Sequence, residues 1–583
     1  MSEKINANLE VKRHSLAHIM ASAIKELWPE AQLAIGPAID NGFYYDIDFN
    51  DIKITESDLR NIEKKMAFLI KQNLKFERTE SAIDDALKAA QAAGEIYKAE
   101  LIADLKSQGE TKVSFYSVSK FTDLCRGPHV ENTNQIKPGS YKLHKLAGAY
   151  WRGDEKNKML TRIYGLAFDT KEELDDYLKM MAEAEKRDHR KIGKELDLFM
   201  LHDVAPGMPF FLPKGFTMLN ALLKLVREVS YGEGYNEVRT PHLFNSDLWK
   251  ISGHWDHYQE DMFILHHAED GCDFGVKPMN CPAHMLIFKR DIRSYRDLPL
   301  RLAETTTLYR NEKSGTLHGL TRVRSLSQDD SHIFCRNDQV LTEISELLKK
   351  VKDIYKIFNL QIDEIHLSTR PDSFLGEKAV WDEAEDNLKT ALKNANLDYK
   401  INEGDGAFYG PKIDVKVKDA IGRQWQLATI QLDFQLPLRF ELKYTDADGQ
   451  AKTPVVVHRA ILGSLERFFG VIIEHYAGAF PVWLSPVQVK IVSVAETHIK
   501  ACQKIAEELR SAGIRVEVDE ANETVGNKIR KAVNEKVPYM LVIGDKEAGS
   551  DVLSVRDRGA METREIAKAD FIAEIQAKIN NRS

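Results

Sequence analysis

Cysteine is scarce in this sequence: the five residues Cys125, Cys272, Cys281, Cys335 and Cys502 are odd in number and widely scattered. That usage excludes a disulfide scaffold. It points to a reducing compartment, expected to be the cytoplasm, where a special cysteine serves as ligand or catalyst. No run of about 18 apolar residues occurs, so no membrane-spanning helix is expected. The opening residues, Met1-Ser2-Glu3-Lys4-Ile5-Asn6, lack the apolar stretch of a signal peptide. Internal repeats and low-complexity segments are absent as well, which excludes solenoids and long disordered arms. A formal charge of −8 does not by itself advertise a nucleic-acid binder.

What is there is a soluble, globular composition, with 43% hydrophobic and 29% charged residues. At 583 residues the chain is too long for one core, and three or four domains are expected. Charge is locally uneven. Residues 186–194 read KRDHRKIGK, and residues 289–324 hold more arginine and lysine than acid.

Residues 1–167 mix short helices and strands, with turn signals such as Asn41-Gly42 and Arg126-Gly127-Pro128. Residues 168–194 are highly charged, with Leu174, Leu178, Met181 and Ala184 on one stripe, and predict a long exposed linker helix. Residues 195–484 form the largest block, rich in strand-like segments. After Pro486, residues 485–583 alternate strands and helices, which predicts a small α/β domain with a mostly parallel sheet. The whole reads as a multidomain α+β protein.

Two segments carry chemistry. The first is Arg310-Asn311-Glu312, a loop with Gly315 and Gly319, then RVRSLSQDDSH over 322–332. Read as one strand, it lines a single face with Arg322, Arg324, Leu326, Gln328, Asp330 and His332. A buried structural strand would not carry so many polar groups on one side, so a face that holds a phosphate and an ammonium group is the better account. The second, His458 to Gly478, reads as a buried helix carrying Gly463 and Arg467. The glycine allows close backbone approach and the arginine could stack on a planar ring. Gly404, Gly406 and Gly410 do not fit a dinucleotide fingerprint.

These segments resemble the second and third signature motifs of class II aminoacyl-tRNA synthetases. A helix followed by Val238-Arg239-Thr240-Pro241 resembles the first, a dimer-interface element. The resemblance narrows to the threonyl-tRNA synthetase family through Lys277-Pro278-Met279-Asn280-Cys281-Pro282, Gln328-Asp329-Asp330-Ser331-His332, Phe408-Tyr409-Gly410-Pro411-Lys412 and Val457-His458-Arg459-Ala460. It implies a catalytic antiparallel sheet with flanking helices, an N-terminal α+β editing domain, a C-terminal α/β anticodon-binding domain and a homodimer. It also implies ATP, L-threonine and tRNA(Thr) as substrates. A regulator that binds tRNA without charging it would be marked by loss of Arg310 or Arg467, and both are present.

By the same resemblance Cys281, His332 and His458 bind one Zn²⁺ per subunit, and Mg²⁺ accompanies ATP. Arg310 holds the α-phosphate, Glu312 contacts adenine and Arg467 covers the other face of the ring. Gln328, Asp330, Arg322, Tyr409, Lys412, Gln426, Thr429, Gln431 and Ser464 match substrate and adenylate contacts. The sequence departs from the family at Leu326, where an aromatic residue stacks on adenine, and at Ala283. It departs again at Thr306-Thr307-Leu308, and in the expected absence of the small ubiquitin-like domain that precedes the editing motif of bacterial members.

His14 and His18 lie at i and i+4 and so share one helix face, while Cys125 and His129 form a second pair. Read alone, the four suggest a tetrahedral metal site. The resemblance implies instead a metal-free hydrolytic pocket for seryl-tRNA, with Asp123 and Lys98 as helpers. Asn522, Glu547 and Arg556 match the base-contacting positions of the anticodon domain.

Overall fold

A computed structural model describes residues 2–232, 234–267 and 271–583. It divides into two compact units, Met1–Ala182 and Glu183–Ser583.

In the first unit the opening helix, Ser2–Leu27, contains neither glycine nor proline. Its buried Leu16, Ile19, Met20, Ala23 and Ile24 recur at spacings of three and four, the signature of one apolar stripe. That stripe packs against Phe43, Tyr45 and Ile47, which alternate on the strand Gly42–Asp48 as a two-residue period requires. Fully buried side chains of this size each contribute about 1.5–3 kcal/mol. The strand belongs to an antiparallel sheet with Gln32–Leu33, Met159–Ala167 and Tyr141–Tyr150. A second, three-stranded sheet orders Phe76–Ala82, Lys112–Val118 and Phe121–Leu124.

The expected single linker helix is two helices, Lys171–Arg187 and His189–Glu195. Asp188 breaks it: its carboxylate accepts the Arg190 N–H at 2.8 Å and caps the second helix, the local competition that aspartate offers against helix continuation. The second helix is exposed on one face only, since His189, Ile192 and Gly193 are buried. His189 is fully buried, with Nδ1 2.6 Å from Glu474 Oε1 and Nε2 accepting the Leu320 N–H at 2.9 Å.

The second unit is built on an eight-stranded sheet ordered Tyr235–Glu237, Leu300–Glu304, Asp330–Cys335, Val455–Ala460, Gln424–Asp433, Lys412–Lys418, Gln361–Ser368 and Lys400–Asn402. Only the two outermost pairs are parallel; all inner pairs are antiparallel, as expected. Helices Val340–Ile357, Lys378–Asn394 and Leu465–His475 supply buried residues to the same core as its strands.

Two local expectations fail. Residues 322–332 are not one strand: Ser325–Ser327 pairs in a small hairpin with Thr307–Tyr309, and Asp330–Cys335 belongs to the large sheet. Arg324 therefore leaves the face assigned to it, and its guanidinium bonds the Glu312 carbonyl at 2.8 Å. Residues 458–478 are not one helix. His458 and Arg459 lie in a strand, and the helix begins at Leu465 after Gly463, which has φ +74°. Periodicity could not separate these halves because both are buried.

The C-terminal region orders strands Val516–Asp519, Val489–Ser493, Tyr539–Ile543, Val552–Asp557 and Arg564–Ala567. The first three are parallel. The last two are antiparallel, and the final one was not anticipated.

Candidate functional site

The sheet brings the two histidines together. His332 and His458 are directly opposed across neighbouring antiparallel strands, with ring centroids 4.6 Å apart. Cys281 joins them from the first turn of helix Cys281–Lys289, where Pro282 suits a position that needs no N–H partner. Candidate ligand atoms of the three lie within 4.8 Å of one another, and all three residues are buried. Each histidine has its other nitrogen engaged: His332 Nδ1 is 2.8 Å from His284 Nδ1, and His458 Nε2 is 2.9 Å from Asp433 Oδ2.

Burial, then His458 and His284, hold His332 well below the usual imidazole range, so it is neutral, as a ligand must be. Burial, then Asp330 and Asp433, push the Cys281 thiol well above its usual range, so a thiolate there needs a cation. Two imidazoles, one thiol and anchored second nitrogens fit a divalent metal with open coordination positions.

Beside this group lies a cleft of about 160 Å³ lined by Arg310, Glu312, Arg322, Gln328, Gln426, Thr429, Ser464 and Arg467. Three guanidiniums and one carboxylate line it: Arg322 Nε donates to Glu312 Oε2 at 2.9 Å, Arg467 Nε to the Thr321 carbonyl at 3.0 Å and Arg310 Nε to the Pro278 carbonyl at 3.4 Å. Burial, then Arg322 and Arg310, pull the Arg467 guanidinium below its ordinary value. Such concentrated positive charge is an anion site.

Gln426 and Thr429 both donate to Asp414, at 2.7 and 2.9 Å, and Lys412 pairs with Asp414 at 2.9 Å. Asp330, Tyr409 and Gln431 lie toward the metal ligands instead. Asp330 accepts from Asn280 at 3.0 Å, and the Tyr409 hydroxyl donates to Gln431 at 3.0 Å with its ring 5.3 Å from His458. Leu326 lines the cleft but packs mainly with Leu308 and Val323, and it sits opposite Leu308 in the hairpin. Two departures from the family pattern are thus one packed pair.

Sequence reasoning missed two buried groups. Asp329 accepts N–H bonds from Ile461, Leu462 and Gly463 at 3.0–3.1 Å and pairs with Arg459 at 3.2 Å, which pins the turn before Ser464. The other is Lys277–Glu304–His284. Asp329 and Lys277 lie inside quoted motifs and Glu304 and His284 outside them, and only the fold reveals the partners.

In the first unit a cavity of about 700 Å³ is lined by His14, His18, Lys98, Asp123 and Cys125, together with Tyr45. His129 stands behind, with Nε2 3.2 Å from Cys125 Sγ and its ring stacked 4.8 Å from Phe76. His14 Nε2 is 3.3 Å from the same sulfur. Lys98 pairs with Asp123 at 2.5 Å, and Tyr45 bridges both.

Burial, then His18 and His14, lower His129 to about 2, and burial also lowers His14 and His18. All three imidazoles are thus shifted toward the neutral form, His18 and His129 the furthest. Burial lifts the Cys125 thiol to about 11, so it is no thiolate nucleophile.

In the C-terminal region Asn522 and Glu547 follow the carboxyl ends of parallel strands. Arg556 instead pairs with Met540, near the start of its neighbour. Glu547 accepts the Gly544 N–H at 3.1 Å, and Arg556 donates to the Ala560 carbonyl at 2.9 Å.

The antiparallel sheet and arginine-lined cleft define a class II aminoacyl-tRNA synthetase core. Residues 263–476 match the family described as tRNA synthetase class II core domain (G, H, P, S and T). Residues 488–578 match the anticodon binding domain, and residues 113–164 the threonyl and alanyl tRNA synthetase second additional domain.

The chain is 52% identical over 570 residues to the threonine–tRNA ligase of Clostridium acetobutylicum, covering 98% of this chain and 88% of that protein. It is 51% identical, with the same coverage, to that of Clostridium tetani. Among solved structures, the RNA binding domain of threonyl-tRNA synthetase from Cryptosporidium parvum Iowa II matches with a TM-score of 0.65 and 43% identity, covering 67% of this chain and 98% of that one. The chain belongs to the threonine–tRNA ligase family.

Proposed function

We propose that this protein activates L-threonine with ATP and transfers it to tRNA(Thr). The observation that carries this reading is the convergence of Arg310, Arg322 and Arg467 on one cleft beside Cys281, His332 and His458. The threonine carboxylate attacks the α-phosphorus, pyrophosphate leaves, and the adenylate then yields its acyl group to a ribose hydroxyl of the tRNA end. Arg310 offsets the charge developing on the phosphorus, while Glu312 and Arg467 orient the adenine. Asp330, Tyr409 and Gln431 bound the amino-acid side of the site, while Gln328, Thr429 and Lys412 bound its adenylate side. Mg²⁺ enters with ATP.

Cys281, His332 and His458 would hold Zn²⁺, which would supply a Lewis acid able to select for the amino and hydroxyl groups of threonine. Valine has no hydroxyl to offer, and a site built for a polar group rejects such an analogue by roughly 10⁴–10⁵. Serine offers both groups and lacks only a methyl, worth about 1–3 kcal/mol, so a second, hydrolytic site is required. His14, His18, Cys125, His129, Asp123 and Lys98 form that site without a metal. Asn522, Glu547 and Arg556 read the anticodon loop, and two copies pair through the segment around Val238-Arg239-Thr240-Pro241.

ATP–pyrophosphate exchange tests the reading. Exchange should depend on threonine, proceed weakly with serine and fail with valine. No exchange with threonine would overturn it.

A further inference from the structure

Behind the metal ligands runs a chain of buried polar groups whose protons can be placed by counting donors. The Glu304 carboxylate is fully buried and accepts the Thr240 N–H at 2.8 Å, the Thr240 hydroxyl at 2.9 Å and the Thr306 hydroxyl at 2.9 Å. Lys277, also fully buried, directs its three N–H groups to Thr240 Oγ1 at 3.0 Å, Glu304 Oε1 at 3.0 Å and Thr306 Oγ1 at 2.9 Å. An ionised carboxylate only accepts. His284 Nε2, 3.1 Å from Glu304 Oε2, must therefore be the N–H of that contact.

Lys277 already balances the Glu304 charge, so the proton count takes His284 as neutral, and a neutral imidazole that donates through Nε2 accepts through Nδ1. His284 Nδ1 faces His332 Nδ1 at 2.8 Å, and two ring nitrogens at that distance need one proton between them. His284 has none to give there, so His332 Nδ1 carries it. His332 Nε2 keeps the lone pair. His458 is fixed the opposite way, since its Nε2 faces the Asp433 carboxylate at 2.9 Å and Nδ1 is left with the lone pair.

We propose that Lys277, Glu304 and His284 form a positioning relay that locks His332 in the Nδ1–H tautomer and so presents Nε2 to a divalent metal shared with Cys281 and His458. The relay rests on the reading of those three residues as a metal site. Its geometry gives His284 a role that its helix position alone does not. His284 sits three residues after Cys281 on the same short helix, so one element aims a ligand and orients another. Orienting partners of this kind are worth roughly 10–100-fold in metal affinity.

The test is zinc release from the full-length holoprotein into a chelator. His284→Leu removes the link and should release zinc roughly 10–100-fold faster than the unaltered protein. His284→Gln should stay within a few-fold, because an amide presents an acceptor and a donor in the same order as the ring. An unaltered release rate in folded His284→Leu would overturn the relay. Should that variant not fold, long-range ¹H–¹⁵N spectra of the ¹⁵N-histidine holoprotein decide, with His332 assigned by its loss in His332→Gln. Metal bound through Nε2 of His332 and Nδ1 of His458 supports the relay, and binding through Nδ1 of His332 overturns it. Failure of the unaltered protein to retain zinc would sink the metal site itself, a different result from either.

Discussion

At the scale of single residues, identity was legible and partnership was not. Cys281, His332 and His458 are separated by stretches with no local metal spacing, and only the facing strands make the two histidines neighbours. Asp329 and Glu304 look like ordinary acids in sequence, yet each is fully buried and bonded to several donors. Replacing Cys281 by alanine removes one of three ligands. The variant should keep its fold, lose bound zinc and lose threonine-dependent exchange, read by metal analysis alongside the exchange assay. Normal zinc content in that variant would dismiss the ligand set. Leu326 shows a double case, a residue that lines the cleft and also packs with Leu308 and Val323. Its cluster is small, so Leu326→Ala should lower stability by about 2 kcal/mol, the low end for such truncations, in urea unfolding. Unchanged stability would return Leu326 to the role of cleft lining alone.

At the scale of elements, the alternation of strand and helix was legible, and the breaks inside apolar or charged runs were not. In the C-terminal region the alternation was legible because one apolar face dominates each element, whereas the long opening helix was hidden in a region that reads as short helices and strands. The 458–478 segment failed because a buried strand and a buried helix are both apolar, and the break between them is one backbone angle. Gly463 holds that break. A side chain there would meet the Leu427 carbonyl at 2.7 Å, on top of the left-handed conformation at φ +74°. The turn also places Ser464, whose hydroxyl accepts the Arg467 N–H at 3.3 Å and starts the helix. For Gly463→Ala the left-handed backbone alone costs roughly 1–2 kcal/mol. The clash must also shift Arg467, so the KM for ATP should rise while zinc content stays normal. An unchanged KM for ATP would show that the turn does not position the arginine.

At the scale of the whole molecule, synthesis and editing occupy separate compact units, so conditions can disable one and spare the other. The first unit keeps three imidazoles neutral by burial, with His129 at about 2 against an unperturbed value of 6.5. Below about pH 6.5 the unfolded chain takes up more protons at these positions than the folded unit does. Stability therefore rises with pH across that window and is lost as pH falls from 6.5 toward 2. Hydrogen exchange of the full-length chain, followed by mass spectrometry, should show peptides covering 14–18 and 121–129 losing protection between pH 7.5 and pH 5. Replacing both His14 and His18 by alanine should flatten that loss. At neutral pH the same double variant should still activate threonine but let seryl-tRNA accumulate, because the neutral bases that position water are gone. Chelators should leave clearance of supplied seryl-tRNA by the unaltered protein intact. Clearance that stops on chelation would make His14, His18, Cys125 and His129 a metal site, since their ligand atoms already lie within 4.8 Å of one another.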